Sequence, residues 1–407
     1  MTSSTIWPKE GDRRISAAVY TDEDIYKREL QEIFYGPNWN YVGLACEVPN
    51  PGDFIQTTLG EMPIIVSRDR KGVIRAFINR CPHRGATLCQ KRSGNNKTFT
   101  CPYHEWRFNL EGRLVGVPFS NGIDGKGGMS STFDPSKHGL TQLYVTEKNG
   151  VIFATTKENT PSLEEYLGPK IQYYFDRVCD GRKLKVIGKL RHIVNANWKL
   201  QIENVKDSVH AAILHSFFTA FGIWRSDQET HVITDGDHKN SVLVSTASFN
   251  KDKTLPVETK LKSSDFSLND PRLVKHEKEF SEGTGAVMTI WPNLIFLQQL
   301  NCLVMRHVRP DGPSRCIKTW TFFCYEDDTP TLLEKRQIQS NLLGPSGLVT
   351  IDDNEILEEL QKGLSASKKF DCVIEAGEGI HGEETMMTEA AIRGFYHHYI
   401  NVMGFGK

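Results

Sequence analysis

Apolar and polar positions change texture several times along this chain, and each change predicts different elements. From Thr21 a helix is expected: Thr21 can cap it, Asp22, Glu23 and Asp24 suit its positive end, and Ile25, Leu30, Ile33 and Phe34 form an apolar stripe. Gly36-Pro37 ends it, and at about fourteen residues it must pack on the rest of the chain to be stable. From Trp39 to about Thr155, short β runs alternate with turns. The run PGDFIQTTLGEMPIIVSRDRKGVIRAFINRC reads as strands with a hairpin turn at Asp69 to Gly72. The polar stretch TKENTPS, 156–162, marks a boundary. Beyond it come a helix SLEEYLGPKIQYYFDRV with an interruption at Gly168-Pro169, the strand KLKVIGKLRHIV and an apolar-rich helix from Asn197. Strands follow at SVLVSTASF, AVMTIWPNLIFLQQ, NCLVMRHV and CIKTWTFFCYE, then helices at LLEKRQIQSNLL, NEILEELQKGL and ETMMTEAAIRGFYHHYINVM. Strands in series with helices grouped apart predict an α+β class. The expected organisation is a helical segment 1–38 packing on the last domain, a small all-β domain 39–155, and an α+β domain 156–407 with an antiparallel sheet surrounded by helices.

The stretch NWKLQIENVKDSVHAAILHSFF, 197–218, carries Glu203, Asn204, Asp207, His210 and His215 among apolar residues. Buried polar groups must be paired, and a metal ion pairs several at once. On one helix, Glu203, Asp207 and His210 share a face by their i, i+4 and i+3 spacing. His210 and His215 are five apart, about 140° round a regular helix, so they meet at one metal only where the helix bends, tightens or ends between them. Two imidazoles with a carboxylate from elsewhere would make the facial triad of a non-haem Fe(II) oxygenase. Two core histidines bonded to backbone are the plain alternative.

A second constellation weakens that alternative. Cys81-Pro82-His83 is followed, after seventeen residues, by Cys101-Pro102-Tyr103-His104. One Cys and one His from each half is the Rieske arrangement, in which two thiolates hold one iron of a 2Fe-2S cluster and two imidazoles the other. Zinc accepts the same donors, but zinc fingers usually group the two Cys and then the two His. In a β-domain both motifs would sit at loop tips, closing on one cluster like two fingers.

Composition narrows the class further. The 407 residues allow two or more domains, and 39% apolar with 24% charged residues is ordinary for a globular protein. A net charge of -1 leaves no footprint for nucleic acid or an anionic membrane. No apolar run reaches the roughly 20 residues of a membrane span and the start lacks a signal-peptide core, so a cytoplasmic location is expected. Nine cysteines, an odd number, fit a reducing compartment. Cys89, between the two motifs, reads as a structural core residue, and His397-His398 as packing or surface.

Taken together, CPHRG with CPYHEW, ENVKDSVHAAILH and GPSGLVTIDDNE (344–355) resemble the large (alpha) subunit of the Rieske non-haem iron aromatic-ring-hydroxylating oxygenases, over nearly the whole chain. The likeness is greatest to the branch acting on aromatic acids such as salicylate, anthranilate and terephthalate. The resemblance implies that Cys81, His83, Cys101 and His104 hold the cluster and that His210, His215 and Asp353 hold a mononuclear Fe(II). Asp352 competes with Asp353, because spacing alone does not separate neighbours. It implies that Asp207 links a cluster histidine to an iron histidine across a subunit interface, and that Glu203 and Asn204 brace the site. Val209 departs from the pattern, where the family usually has Tyr.

The resemblance further implies a terminal oxygenase that uses O2 to hydroxylate an aromatic acid, by mono- or dihydroxylation. Electrons would come from a separate ferredoxin or reductase, since no G-x-G-x-x-G nicotinamide fingerprint is present and NADH or NADPH would act only through that reductase. His83-Arg84 and Trp106-Arg107 are expected to shape the donor's docking surface. Alpha trimers, often with small beta subunits, are expected. Strand alternation in NCLVMRHV puts Arg306 on an inward face with Cys302, Val304 and Val308, where its guanidinium must find an anion, either an internal acid or the substrate carboxylate. Arg393 on the terminal helix is a second candidate. Two other classes remain: a Rieske electron carrier, which would not need the two-His-one-Asp set or about 250 further residues, and a zinc-stabilised binding module, which would be colourless.

Overall fold

The computed structural model describes residues 7–221, 223, 228–246, 268–281, 283, 285–367 and 369–405. The end of the expected strand SVLVSTASF, 247–249, lies outside them. The chain divides into two compact units, Met1–Phe34 with Pro161–Lys407 and Tyr35–Thr160. These divisions fall a few residues outside the change of texture, because the Thr156 hydroxyl donates to the Tyr35 carbonyl at 2.7 Å and ties the two ends of the inner unit together.

The N-terminal segment holds a short strand β1 (Arg14–Ser16), helix α1 (Ala18–Thr21), helix α2 (Glu23–Glu29) and a π-helical turn Leu30–Phe34. The expected single helix capped by Thr21 is therefore two, and Asp22 is the cap. Its side chain accepts from the Asp24 and Ile25 amides at 2.9 and 3.2 Å, because its backbone is extended (φ -88, ψ 125) and breaks the helix at that point.

The inner unit is all-β. Its main sheet contains β2 (Asn40–Leu44), β3 (Asp53–Leu59), β4 (Met62–Arg68), β5 (Ile74–Ile78), β6 (Ser93–Asn95), β10 (Gln142–Lys148) and β11 (Val151–Thr155), in the order β2-β11-β10-β5-β4-β3-β6. A smaller sheet of β7 (Phe99–Thr100), β8 (Arg107–Phe108) and β9 (Leu114–Gly116) carries the second Cys-His motif between its first two strands. The hairpin at Asp69 to Gly72 joins β4 to β5 as the sequence requires: the Asp69 side chain accepts from the Lys71 and Val73 amides at 2.8 and 2.9 Å. Phe54, Phe77, Phe99, Phe108 and Trp106 pack with Cys81 and Cys101 into one core, so both cysteines sit in apolar surroundings.

The outer unit is built on an antiparallel sheet of β12 (Leu184–Val194), β13 (Glu229–Asp235), β14 (Asn240–Thr246), β15 (Gly285–Ile290), β16 (Leu294–Gln299), β17 (Cys302–Pro310) and β18 (Cys316–Tyr325), ordered β12-β18-β17-β16-β15-β14-β13. Its central strands β16, β17 and β18 are buried almost continuously. A last strand β19 (Asp371–Val373) pairs with β1. The helices are α3 (Leu163–Leu167), α4 (Pro169–Val178), α5 (Trp198–Lys206), α6 (His210–Ile213), α7 (Ser216–Ala220), α8 (Pro330–Leu343), α9 (Leu348–Ala366) and α10 (Ala390–Met403). The interruption at Gly168-Pro169 separates α3 from α4, with Pro169 opening the second helix. Two expectations shift: α9 starts at Leu348, six residues before NEILEELQKGL, and α10 starts at Ala390, six residues into ETMMTEAAIRGFYHHYINVM. Among the described residues no helix is long and apolar enough to cross a membrane.

Helix α5 packs on β14, β15 and β17 and is anchored by a buried polar cluster. Lys199 pairs with Glu29 at 2.6 Å, both fully buried, and Glu29 also accepts from Trp198 Nε1 at 2.8 Å and the Tyr399 hydroxyl at 2.5 Å. One carboxylate thus joins α2, α5 and α10.

Candidate active site

The two Cys-His motifs of the inner unit fold into the same turn twice. The Cys81 amide donates to the Ala86 carbonyl at 2.8 Å and the Gly85 amide to the Cys81 carbonyl at 2.9 Å; Cys101 with Trp106 and Glu105 with Cys101 repeat this at 2.9 and 3.0 Å. The fifth residue of each turn must be left-handed, Gly85 at φ 80 and Glu105 at φ 53. Burial, with the Cys101 thiol in hydrogen-bond reach, raises the Cys81 thiol. The His83 and His104 rings lie 4.7 Å apart, His83 stacks on Trp106 with planes 4° apart, and the buried His104 Nδ1 has no partner. Two converging thiols, two imidazoles and an orphaned ring nitrogen fit a 2Fe-2S cluster with mixed ligands. Cys89 is buried nearby, its thiol pushed up to about 12 by burial, and so stays a protonated core residue. Asn79, which the sequence did not single out, holds the first finger in place: it donates to the Cys89 carbonyl at 2.8 Å and accepts from the Leu88 and Cys89 amides at 3.0 and 2.9 Å.

In the outer unit, α5 ends at Lys206, and this solves the five-residue spacing. Asp207 is extended (φ -76, ψ 112), α6 begins at His210, and the chain breaks again before α7, so His210 and His215 turn toward each other with ring centroids 5.2 Å apart. Asp353 arrives from α9. Its Oδ1 lies 3.6 Å from His210 Nε2 and 3.2 Å from His215 Nε2, and ligand atoms of these three residues fall within 4.8 Å of one another. The other ring nitrogens face outer acids: His210 Nδ1 is 3.5 Å from Asp207 Oδ2, and His215 Nδ1 is 3.4 Å from Asp352 Oδ2. Asp352 and Asp353 therefore stand on opposite sides of His215, although they are sequence neighbours. Asn204 donates to Asp353 Oδ1 at 3.1 Å.

Electrostatics fit a cation at the centre. Burial alone would raise the Asp353 carboxyl, but the hydrogen bonds and charges of His210 and His215 hold it well below the usual carboxylate range. Burial alone would depress His210, yet Asp207 and Asp353 lift it to about 9. The acids around His210 favour positive charge at this point, as the donor set of a divalent cation does. Glu203 does not share this cluster. Its carboxylate accepts from the Tyr20 hydroxyl at 3.0 Å and from Tyr396, and it borders a cleft with Asp207 and His210 without touching the triad.

A cleft of about 820 Å³, part of it open to solvent, adjoins the triad. Arg306 lines it at 3% exposure. Its Nη2 reaches only the Leu343 carbonyl at 3.4 Å, its buried Nε has no partner, and no carboxylate pairs with it among the described residues. Arg393 lies elsewhere: its guanidinium donates to the carbonyls of Gly379 and Ala376 at 2.7 and 2.8 Å and does not line the cleft. A second cleft shares Asn204, Asp207 and His210, is lined by Val209, Ile213, Leu214, Leu360 and Phe370, and leaves Ile213 76% and Phe370 53% exposed. His398 packs against Trp291, and exposed His397 lies 3.6 Å from Asp12.

Residues 38–125 match the Rieske [2Fe-2S] domain family, and residues 180–404 match the ring hydroxylating alpha subunit (catalytic domain) family. The chain is 42% identical to the large oxygenase component of salicylate 5-hydroxylase from Ralstonia sp., covering 98% of this chain and 96% of that protein. It is 37% identical to the anthranilate 1,2-dioxygenase large subunit of Burkholderia cepacia, covering 99% and 96%. Among solved structures, naphthalene 1,2-dioxygenase from Rhodococcus sp. superposes with a TM-score of 0.81 over 97% of this chain and 95% of that one, at 24% identity, a likeness of fold.

Proposed function

Because this chain belongs to the large (alpha) subunits of the Rieske-type ring-hydroxylating oxygenases, we propose that it is the terminal oxygenase for an aromatic carboxylic acid. Family membership makes it an oxidoreductase with a Rieske 2Fe-2S cluster and a mononuclear iron. We assign Cys81 and Cys101 to one iron of the cluster, His83 and His104 to the other, and His210, His215 and Asp353 to the mononuclear site. When loaded, the cluster supplies single electrons and the mononuclear iron supplies O2 activation. Asp207 and Asp352 fix the two ring orientations by standing as acceptors for the Nδ1–H groups, which leaves the Nε2 lone pairs free to bind metal. Asn204 holds the Asp353 carboxylate in place.

The observation that carries the substrate class is Arg306, a buried cation lining the cleft that no carboxylate salt-bridges among the described residues, the charge of Asp353 in the triad acting on it only from beyond salt-bridge distance. A guanidinium cannot shed its charge, so the cleft is completed by an anion from outside, and a bidentate carboxylate would fix the ring beside the triad. The salicylate and anthranilate named for the two relatives are acids of this kind. Arg306→Met should raise KM for an aromatic acid at least tenfold more than KM for its neutral amide, with iron content unchanged. Equal losses for acid and amide would assign Arg306 to internal structure instead.

Electrons would come from a separate ferredoxin or reductase, with NADH or NADPH acting only through it. An alpha trimer, with or without small beta subunits, is supported by the second cleft: it exposes apolar side chains beside Asp207, as an interface for another subunit would. There Asp207 would link His210 to a cluster histidine of the neighbour. A cytoplasmic location fits nine free cysteines.

A further inference from the structure

One face of the outer-unit sheet floors the substrate cleft, and strand register sorts its side chains into rows, since directly paired residues point to the same face. The first row is Ser241, Thr289, Ile295 and Arg306, the second Leu243, Val287, Leu297 and Val304, and the third Ser245, Gly285, Gln299 and Cys302. The cleft draws on all three: Arg306 from the first, Leu243, Val287 and Leu297 from the second, and Ser245, Gly285 and Gln299 from the third. Its floor is therefore cationic at one end, apolar in the middle and hydrogen-bonding at the other. The outer rows are four residues apart along β17, about 13 Å between backbones before the Arg and Gln side chains lean inward. That leaves room for one substituted ring.

The third row brings two polar side chains together over a glycine. A Cβ placed on buried Gly285 would meet Ser245 Oγ at 3.0 Å and Gln299 Oε1 and Nε2 at 3.2 and 3.5 Å. Gln298, on the opposite face, accepts from Arg177 at 2.6 Å and donates to the Leu300 carbonyl at 2.7 Å. The Gln299 amide lines the cleft with no hydrogen-bond partner among the described residues, and an amide there offers both a donor and an acceptor.

We propose that Ser245, Gly285 and Gln299 form a second substrate subsite, which binds a hydroxyl, amino or second carboxylate group on an aromatic acid whose first carboxylate is held by Arg306. Gln299 recognises the substituent, and Gly285, by lacking a side chain, lets the Gln299 amide and the Ser245 hydroxyl sit side by side at the cleft wall. The proposal rests on the reading of Arg306 as the carboxylate anchor.

Calorimetry on the anaerobic holoenzyme separates the two ideas, with benzoate, the three hydroxybenzoates, terephthalate and benzamide as probes. At least one substituted acid should bind about tenfold tighter than benzoate, the usual worth of a satisfied buried hydrogen bond. In Gln299→Leu that ratio should fall to near one. Gly285→Ala, a smaller change to a strand residue, should lower it by pushing the Ser245 hydroxyl and the Gln299 amide out of place. A preference that survives Gln299→Leu, or a wild type that favours no substituted acid over benzoate, overturns the subsite. Benzoate binding no tighter than benzamide overturns the anchor at Arg306 and the subsite with it.

Discussion

His210 and His215 each carry two ring nitrogens, and the structure gives the two nitrogens different surroundings: Nε2 toward Asp353, Nδ1 toward Asp207 or Asp352. Adjacent acids therefore have separable roles. Asp353→Ala should lower iron from about three to about two per chain while the visible spectrum of the cluster persists, because only the mononuclear site loses a ligand. Asp352→Ala should retain the iron and lower turnover by about 10- to 100-fold, the usual effect of losing a carboxylate behind a metal-bound imidazole. Metal analysis of the two variants checks the pair, and iron loss in Asp352→Ala alone would exchange their assignments. The two Cys-His motifs and the His210 and His215 pair were legible because their spacings are local, whereas the distant carboxylate came only from the family resemblance. The sequence did not separate Asp352 from Asp353, because which side of His215 each acid meets depends on how α9 is rotated against α6. It grouped Glu203 with Asp207 by helical spacing, and the two do border one cleft, but the hydrogen bonds of Glu203 go to Tyr20 and Tyr396, which no local spacing reveals.

At the scale of elements, buried polar clusters hold the helices in register. Lys199→Met would leave the Glu29 carboxylate buried without its cation, and should cost about 3–5 kcal/mol in denaturant unfolding of the outer unit. Glu29→Gln combined with Lys199→Met should recover a large part of that loss. A single Lys199→Met as stable as wild type would show that Trp198 and Tyr399 suffice to hold Glu29. Glu203 gives a pH effect of defined sign. Burial, opposed by the hydrogen bonds from Tyr396 and Tyr20, raises its carboxyl to about 7. Folded protein then binds this proton more tightly than the unfolded chain does. The resulting stability is complete below about pH 4.5 and is lost as the pH rises to about 7, roughly 3 kcal/mol in all. Glu203→Gln should therefore gain on wild type between pH 5 and pH 8, read as the difference in unfolding midpoints. An unchanged difference across that range would place the Glu203 titration elsewhere. Elements were legible where punctuation was strong, as at Gly168-Pro169 and Asp69 to Gly72. Helix starts were less so: Thr21 and Asp22 are both good caps, and only the extended backbone at Asp22 decides between them. Gln299 escaped notice because β16 is buried nearly throughout, which hides the alternation that marks a cleft-facing row.

Across the whole molecule, one unit is continuous in sequence and the other is not. The outer unit closes only when α10 contributes Phe395 against Trp198 and Trp291, and Tyr396 and Tyr399 to the buried acids. Ending the chain after Glu389 should abolish the cooperative unfolding of the outer unit, while the visible absorption of the cluster is kept by residues 35–160. Loss of colour in that truncated protein would show that the inner unit does not stand alone.

The same discontinuity sets an order of events during synthesis. As the nascent chain leaves the ribosome, residues 35–160 are complete and can fold while the segment before them still lacks every helix it packs on. Glu29 must wait for Tyr399, which follows it by 370 residues. At the usual 5–20 residues per second, that is a delay of roughly 20 to 70 s. For that time Ile25, Leu30, Ile33 and Phe34 form an apolar strip without the helices that later cover it, and a chaperone that shields such strips has its substrate there while the rest of the outer unit is still being made.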